Sequence, residues 1–243
     1  MSYDPNLAAV AALIADPARA MMLLALIDGR ALPAGELAYA AGITPQTASS
    51  HLARLTKGGL LVVEQEGRHR YYRMAGPHVA QAMEQLATIR PTGPVRRKAK
   101  GTQTKRLELA RCCYDHLAGR LGVAVAAALG QRGLLVPVDD KGLVVTPGGA
   151  EWFATLGIDV NALKPGRRGI ARRCLDWTER RHHVAGPLGR SLLWSFCDAG
   201  WLRKSDSPRL VEVTPRGEVE FKRRLDVDVA RLRQQEEDAR QPA

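Results

Sequence analysis

Cysteine is scarce in this chain. Four occur in 243 residues, two of them adjacent (Cys112, Cys113) and none in C-x-x-C spacing. That pattern argues against a small disulfide framework and against the usual zinc-ribbon spacing, so reduced thiols are expected. Long apolar runs are missing as well. No stretch of about 18 uncharged apolar residues occurs, and Asp4 and Pro5 stand where a secretory leader would carry positive charge. The expectation is a cytoplasmic protein with no membrane partner. Enzyme signatures are also wanting: there is no glycine-rich phosphate loop, no H-E-x-x-H, no nucleophile elbow and no pair of carboxylates in an apolar setting. No catalytic residues are assigned, and a non-enzyme is expected.

Acidic charge is absent from one segment. Residues 91–106 hold six Lys/Arg and no Asp/Glu, whereas residues 1–90 hold eight against seven. The net charge of +11 is therefore concentrated. Clustered cations gain affinity for phosphate by releasing counterions, although a charge run also serves as a solvated hinge. Pro91, Gly93 and Pro94 open this segment, which marks a domain boundary. The expected organisation is residues 1–90 as a DNA-binding and dimerisation domain, 91–106 as a basic linker, 107–229 as an effector or dimerisation domain and 230–243 as a polar tail.

The first 90 residues carry helix punctuation. Asp16-Pro17 and Thr44-Pro45 each place a capping side chain before a proline at the first helical position. Apolar spacing predicts helices over residues 6–15, 17–29, 35–42 and 45–57, the second with Met21, Leu24 and Ile27 on its face. Gly58-Gly59 stops the fourth, strands follow over 60–65 and 69–74, and a helix over 78–89 aligns Val79, Met83, Leu86 and Ile89. This order is a winged helix-turn-helix. Ala48, Leu52 and Leu55 form the inward stripe of its second helix, leaving Gln46, Thr47, Ser49, Ser50 and Arg54 facing outward to reach base edges and phosphates.

Glu36-Leu-Ala38, Thr47-Ala-Ser-Ser-His-Leu52, Gly58-Gly-Leu60 and Glu66-Gly-Arg-His-Arg-Tyr-Tyr72 resemble the ArsR family of small bacterial repressors over about residues 6–90. The resemblance implies a homodimer, formed by the first helix and the helix after the wing, on an inverted-repeat operator in double-stranded DNA. It places His51 with the recognition-helix contacts and Arg68, His69 and Arg70 along the DNA backbone or minor groove. It also implies release of DNA by an inducer, often a metal or metalloid. Two departures stand out. Residues 36–41 contain no thiol where the family often holds metal-binding cysteines, and Ser50 stands where arginine is common.

Beyond residue 106 the chain repeats itself. Leu117-Ala-Gly-Arg-Leu-Gly122 returns as Val184-Ala-Gly-Pro-Leu-Gly189, Thr146-Pro-Gly-Gly149 as Thr214-Pro-Arg-Gly217, and Cys113-Tyr-Asp115 as Cys174-Leu-Asp176. Each unit, about 107–160 and 170–229, reads as helix, helix, glycine stop, hairpin, helix, so two winged-helix-like repeats are expected. The fold class is mainly α with small β-hairpin wings (α+β). Cys113 and His116 are placed one helical turn apart, as are Cys174 and Thr178, while Cys112 and Cys113 diverge by about 100° on a helix. Candidate effector or thiol-sensing residues are Cys112, Cys113, His116, Cys174, Asp176, Trp177, His182 and His183. A soft metal ion or an organic effector would suit them, and burial as core is the competing reading for each thiol. Arg180, Arg181, His182 and His183 form a basic stretch suited to an acidic effector, to DNA contact, or to pairing with Asp176 and Glu179 on their own helix, and the pairing is the leading expectation. Asp115 and Asp176 read as helix-surface or capping residues, Cys197 as core, and Trp177, Trp194 and Trp201 as packing residues or a pocket lining.

The expected function is a sequence-specific transcriptional regulator, a repressor released by an effector or thiol modification sensed in the C-terminal half. The alternative is an architectural nucleoid-type protein that coats DNA without an effector.

Overall fold

The computed structural model describes residues 5–66, 69–89, 102–166, 168–205 and 209–238. The chain divides into two compact units, Met1–Ala87 and Thr88–Ala243. Among the described residues no single helix is long and apolar enough to cross a membrane.

In the first unit α1 (Pro5–Ile14) is followed by α2 (Pro17–Ala25). Asp16 caps α2 by accepting from the Arg19 backbone amide at 2.9 Å. The Arg19 guanidinium turns back, donating from Nε to Leu13 O at 2.6 Å and from Nη2 to Ala12 O at 2.9 Å. Two of the carbonyls that end α1 without helical partners are satisfied in this way. The second helix is shorter than its apolar spacing predicts. It stops at Ala25, and the side chains it buries are Arg19, Met22 and Leu23, with Met21 exposed.

The motif itself is α3 (Ala34–Ala41) and α4 (Pro45–Lys57). Gly42 closes α3 at φ +67°, a left-handed conformation that costs glycine nothing. Thr44 Oγ1 then accepts from the Thr47 amide at 3.2 Å, with Pro45 at the first helical position. Ala48, Leu52 and Leu55 are fully buried along the inner face of α4. Each leucine removed from water is worth about 1.5–3 kcal/mol. The wing is β2 (Leu61–Glu66) paired antiparallel with β3 (His69–Met74), and the short β1 (Leu32–Pro33) adds to its outer side through Leu32↔Tyr72. In α5 (Pro77–Thr88) Val79 and Met83 are buried but Leu86 is not, so the predicted apolar stripe serves the core only in its first half.

The second unit opens with α6 (Thr102–Leu109), which takes in residues 102–106, expected as the end of the basic linker; residues 91–101 lie outside the described residues. Next come β4 (Arg111–Cys113), β5 (His116–Ala118), α7 (Gly119–Gln131), β6 (Leu135–Pro137), β7 (Gly142–Val145) and α8 (Pro147–Ala154). A second pass repeats the order: β8 (Ala171–Leu175), β9 (His182–Ala185), α9 (Pro187–Asp198), β10 (Leu202–Lys204), β11 (Val211–Val213) and α10 (Pro215–Leu225), with α11 (Val229–Asp238) last. The repeat is therefore hairpin, helix, hairpin, helix. The predicted first helix of each unit is a β-hairpin instead.

The two repeats exchange hairpins. Strands β6-β7-β8-β9 form one sheet, joining the second hairpin of repeat one to the first hairpin of repeat two. The reciprocal junction is made by β11 and β4, through the Arg111↔Leu210 bridge, Cys112 N donating to Arg209 O at 2.8 Å and Val211 N donating to Ala110 O at 3.4 Å. The Thr-Pro-x-Gly motifs cap equivalent helices: Thr146 Oγ1 accepts from Gly149 N at 3.0 Å and Thr214 Oγ1 from Gly217 N at 2.9 Å. Between the repeats lies a shared apolar core, in which Phe196 stacks on Trp201 (centroids 5.0 Å apart) and meets Phe221 edge-on at 5.1 Å.

Candidate functional site: a recognition helix and a buried Cys/His cluster

The α4 face opposite Ala48, Leu52 and Leu55 presents Gln46, Thr47, Ser49, Ser50 and Arg54 to solvent. Among the described residues their hydrogen bonds are local, as where Ser49 Oγ donates to Pro45 O at 3.0 Å. Short polar side chains on an unobstructed helix face suit major-groove edges. His51 behaves differently. It is half-buried, with Nδ1 3.3 Å from Arg19 Nη1 and 4.0 Å from Asp16, so it ties α4 to α2. In the wing Arg70 is exposed on β3; Arg68 lies outside the described residues, and of His69 only the strand backbone is described.

The second unit assembles a cluster that the helical reading did not place. In the β4/β5 hairpin Cys113 and His116 are cross-strand partners, and in the β8/β9 hairpin Cys174 and His183 hold the same relation. Cross-strand partners share a face, so each hairpin offers one thiol and one imidazole to the seam. The four ligand atoms lie within 4.8 Å of one another, and all four residues are buried. His116 Nε2 is 3.1 Å from His183 Nε2.

A carboxylate stands behind each ring. Asp115 Oδ1 is 3.0 Å from His116 Nδ1, and Asp176 Oδ2 is 3.3 Å from His183 Nδ1. Both aspartates come two residues after a cluster cysteine; Asp115 sits in the turn between β4 and β5, whereas Asp176, besides facing His183, caps as its sequence position suggested, through the Gly119 amide that opens α7. Asp176 is fully buried and accepts from Arg111 Nη2 at 2.8 Å, Gly119 N at 2.8 Å and Thr178 N at 3.0 Å. Burial opposes its ionisation, but His183, Arg111 and the Gly119 amide outweigh that and hold the carboxyl far below its usual range. Burial likewise opposes charging either ring; for His116 the Asp115 and Cys113 contacts prevail, for His183 those with Asp176 and Cys113, and both pKa values rise.

The hairpins pack tightly enough to fix these rings. A Cβ added at Gly122 would sit 2.6 Å from Leu117 O and 3.6 Å from His183 Cβ; one added at Gly189 would sit 2.4 Å from Val184 O and 3.3 Å from His116 Cβ. Each repeat's helix thus touches the other repeat's histidine.

The remaining candidates separate from the cluster. Strand alternation turns Cys112 away from Cys113; its Sγ donates to Tyr114 O at 3.3 Å, and burial pushes its pKa to about 11. At neutral pH it is a thiol and a poor nucleophile. His182 is exposed beside buried His183. Arg180, with φ +57°, lies in the turn between β8 and β9 and not on a helix; the expected pairing with Asp176 is made by His183 alone of the described ion pairs, across the hairpin and not along a helix. Trp177 is half-buried with the Arg111 guanidinium 5.2 Å from its ring. Trp201 is core, Cys197 is half-buried, and Trp194 is exposed under Lys204 Nζ, 3.6 Å from the ring centroid. Asp115 is the cluster member missed from sequence. Its signal was the repeated C-x-D, together with the shared 67-residue offset of His116/His183 and Leu117/Val184.

A capped helix-turn-helix followed by a paired wing, with a polar outer face on its second helix, defines a winged helix-turn-helix DNA-binding protein. A helix-turn-helix domain model matches residues 14–64. Over most of its length the chain is similar to YdfF, an uncharacterised HTH-type transcriptional regulator of Bacillus subtilis, at 44% identity over 93% of this chain and 100% of YdfF. The chain belongs to the ArsR-like HTH-type transcriptional regulators. Its first part is also 40% identical to the HTH-type regulator CmtR of Mycobacterium tuberculosis, over 35% of this chain and 72% of CmtR. Among solved structures it is similar to the homodimeric winged helix-turn-helix DNA-binding domain of Mb0332 from Mycobacterium bovis (33% identity, 33% of this chain and 74% of that one, TM-score 0.32). The cadmium metal-sensor CmtR from M. tuberculosis is another (33% identity, 39% and 98%, TM-score 0.31).

Proposed function

We propose that this regulator is a homodimeric, cytoplasmic repressor that binds an inverted-repeat operator and lets go when its C-terminal half changes state. The observation that carries the reading is the outer face of α4, where Gln46, Thr47, Ser49, Ser50 and Arg54 stand clear of the core that Ala48, Leu52 and Leu55 anchor. Leu7 on α1 and Leu86 on α5 are exposed, at 75% and 47%, which supports dimerisation through those two helices. The nearly neutral first 90 residues and the thiol-free α3 favour a response seated beyond residue 106. CmtR, named a cadmium metal-sensor, supports effector control in this kind of protein.

The test is a mobility shift of the full chain on the DNA upstream of its own gene, against random DNA at physiological salt. A preference of about 10³-fold or more is expected for a specific regulator. Equal binding to both, with a steep salt slope, would instead mark a protein that coats DNA through charge.

A further inference from the structure

The His116/His183 pair poses a problem of proton placement. A carboxylate facing Nδ1 of an imidazole favours the ring proton on that nitrogen; Asp115 is hydrogen-bonded to His116 Nδ1 at 3.0 Å, and Asp176 stands 3.3 Å from His183 Nδ1 as an ion-pair contact. With Nδ1 protonated on both rings, the two Nε2 atoms 3.1 Å apart have room for one electron-poor partner between them, either a shared proton or a metal ion. Two sulfur atoms approach the same point, one from each hairpin.

These distances match a coordination sphere. Zn–N bonds of about 2.0–2.1 Å at a tetrahedral angle separate two nitrogens by roughly 3.3 Å, and Zn–S bonds of about 2.3 Å separate two sulfurs by roughly 3.8 Å. The cluster's 3.1 Å and its outer limit of 4.8 Å bracket both values. Charge also balances: two thiolates neutralise one divalent ion, while Asp176 is already countered by Arg111 at 2.8 Å. Burial of all four side chains leaves no coordination position open to solvent, which is the mark of a closed, structural-type site.

We propose that Cys113, His116, Cys174 and His183 bind one Zn²⁺ ion in a tetrahedral site that clasps the two C-terminal repeats together. On binding, both cysteine Sγ atoms lose their protons to solvent and both histidines ligate through Nε2; no electron transfer is involved. The ligands come in pairs from the β4/β5 and β8/β9 hairpins, so the ion links segments 61–67 residues apart in sequence and stabilises the exchanged sheets. Asp115 and Asp176 act as positioning residues. The site deepens the reading of residues 107–229 as the responsive half, since release or replacement of the ion is one way to change its state.

The experiment uses the full-length protein, purified without an affinity metal and dialysed. Elemental analysis is expected to give about one zinc per chain, and Co²⁺ replacement to give the intense visible bands of tetrahedral cobalt with sulfur-to-metal charge transfer in the near ultraviolet. Asp115→Asn is expected to weaken zinc affinity roughly 10- to 100-fold in a chromophoric chelator competition. Cys112→Ser and Cys197→Ser should keep full stoichiometry, whereas Cys113→Ser/Cys174→Ser should lose it. Because that double variant is itself at risk of misfolding, the wild-type cobalt spectrum stands as an independent readout. Less than 0.1 zinc per chain after zinc loading, or an octahedral cobalt spectrum, overturns the site. So does full stoichiometry in a folded Cys113→Ser/Cys174→Ser variant. Zinc content is read without DNA: failed loading with intact operator discrimination sinks the metal site alone, and full loading without operator discrimination sinks the regulator reading alone.

Discussion

Arg111 and Asp176 form an ion pair of 2.8 Å between the two C-terminal repeats, with 3% and 0% of their side chains exposed. A buried charge without its partner is far more costly than either a complete pair or an apolar replacement. Arg111→Met is therefore expected to destabilise the protein by about 3–5 kcal/mol in urea or thermal unfolding. The double variant Arg111→Met/Asp176→Asn should recover part of that loss, because asparagine carries no charge and its one carbonyl oxygen can still accept from the Thr178 amide, which donates to a single oxygen of Asp176. If the single variant unfolds like wild type, the pair has no structural weight.

On α4, Gln46→Ala and Thr47→Ala are expected to weaken operator binding by about 1–3 kcal/mol, roughly 5- to 150-fold, while sparing random DNA. Arg54→Ala should lower affinity for both and reduce the salt slope by about one. Titrations of each variant on operator and random duplexes at several salt concentrations separate the two patterns.

His51→Ala should behave as a stability variant. Its ring packs toward Arg19 and Asp16 at 3.3 and 4.0 Å, so the melting temperature falls and the ranking of operator base variants stays as in wild type. A changed ranking would return His51 to the base-reading face.

Gly122→Ala and Gly189→Ala each push a methyl group into a backbone carbonyl, Leu117 O at 2.6 Å and Val184 O at 2.4 Å. A loss of about 1–3 kcal/mol is expected from each. The two losses should be similar, because the positions are equivalent across the repeat. Equilibrium unfolding of both variants checks this, and a large effect at one glycine only would count against the symmetry.

Much of the first unit was legible in sequence because its signals are local. Thr44-Pro45, Gly42 and the Ala48/Leu52/Leu55 stripe each act within four or five residues of themselves, and the wing pairs neighbouring segments. The repeats could also be read, since Thr-Pro-x-Gly caps its own helix at both places. The Cys/His hairpins could not. Strands β4 and β5 have three residues each, too few for an alternating pattern, and β4 finds its outer partner around Arg209–Val211, almost 100 positions away. Tyr114 turns the hairpin at φ +62° without a glycine to announce it. A helix was the natural reading of Cys112 to His116, and it separated residues that the fold brings together.

The exchange of hairpins sets a timetable for the ribosome. Strand β4 is complete at Cys113, yet the chain it pairs with is not made until Arg209 to Val211. At 5–20 residues per second that interval lasts roughly 5–20 s, during which the first repeat has a sheet edge with no neighbour. Repeat one is born waiting, and the C-terminal half closes only when its last hairpin emerges.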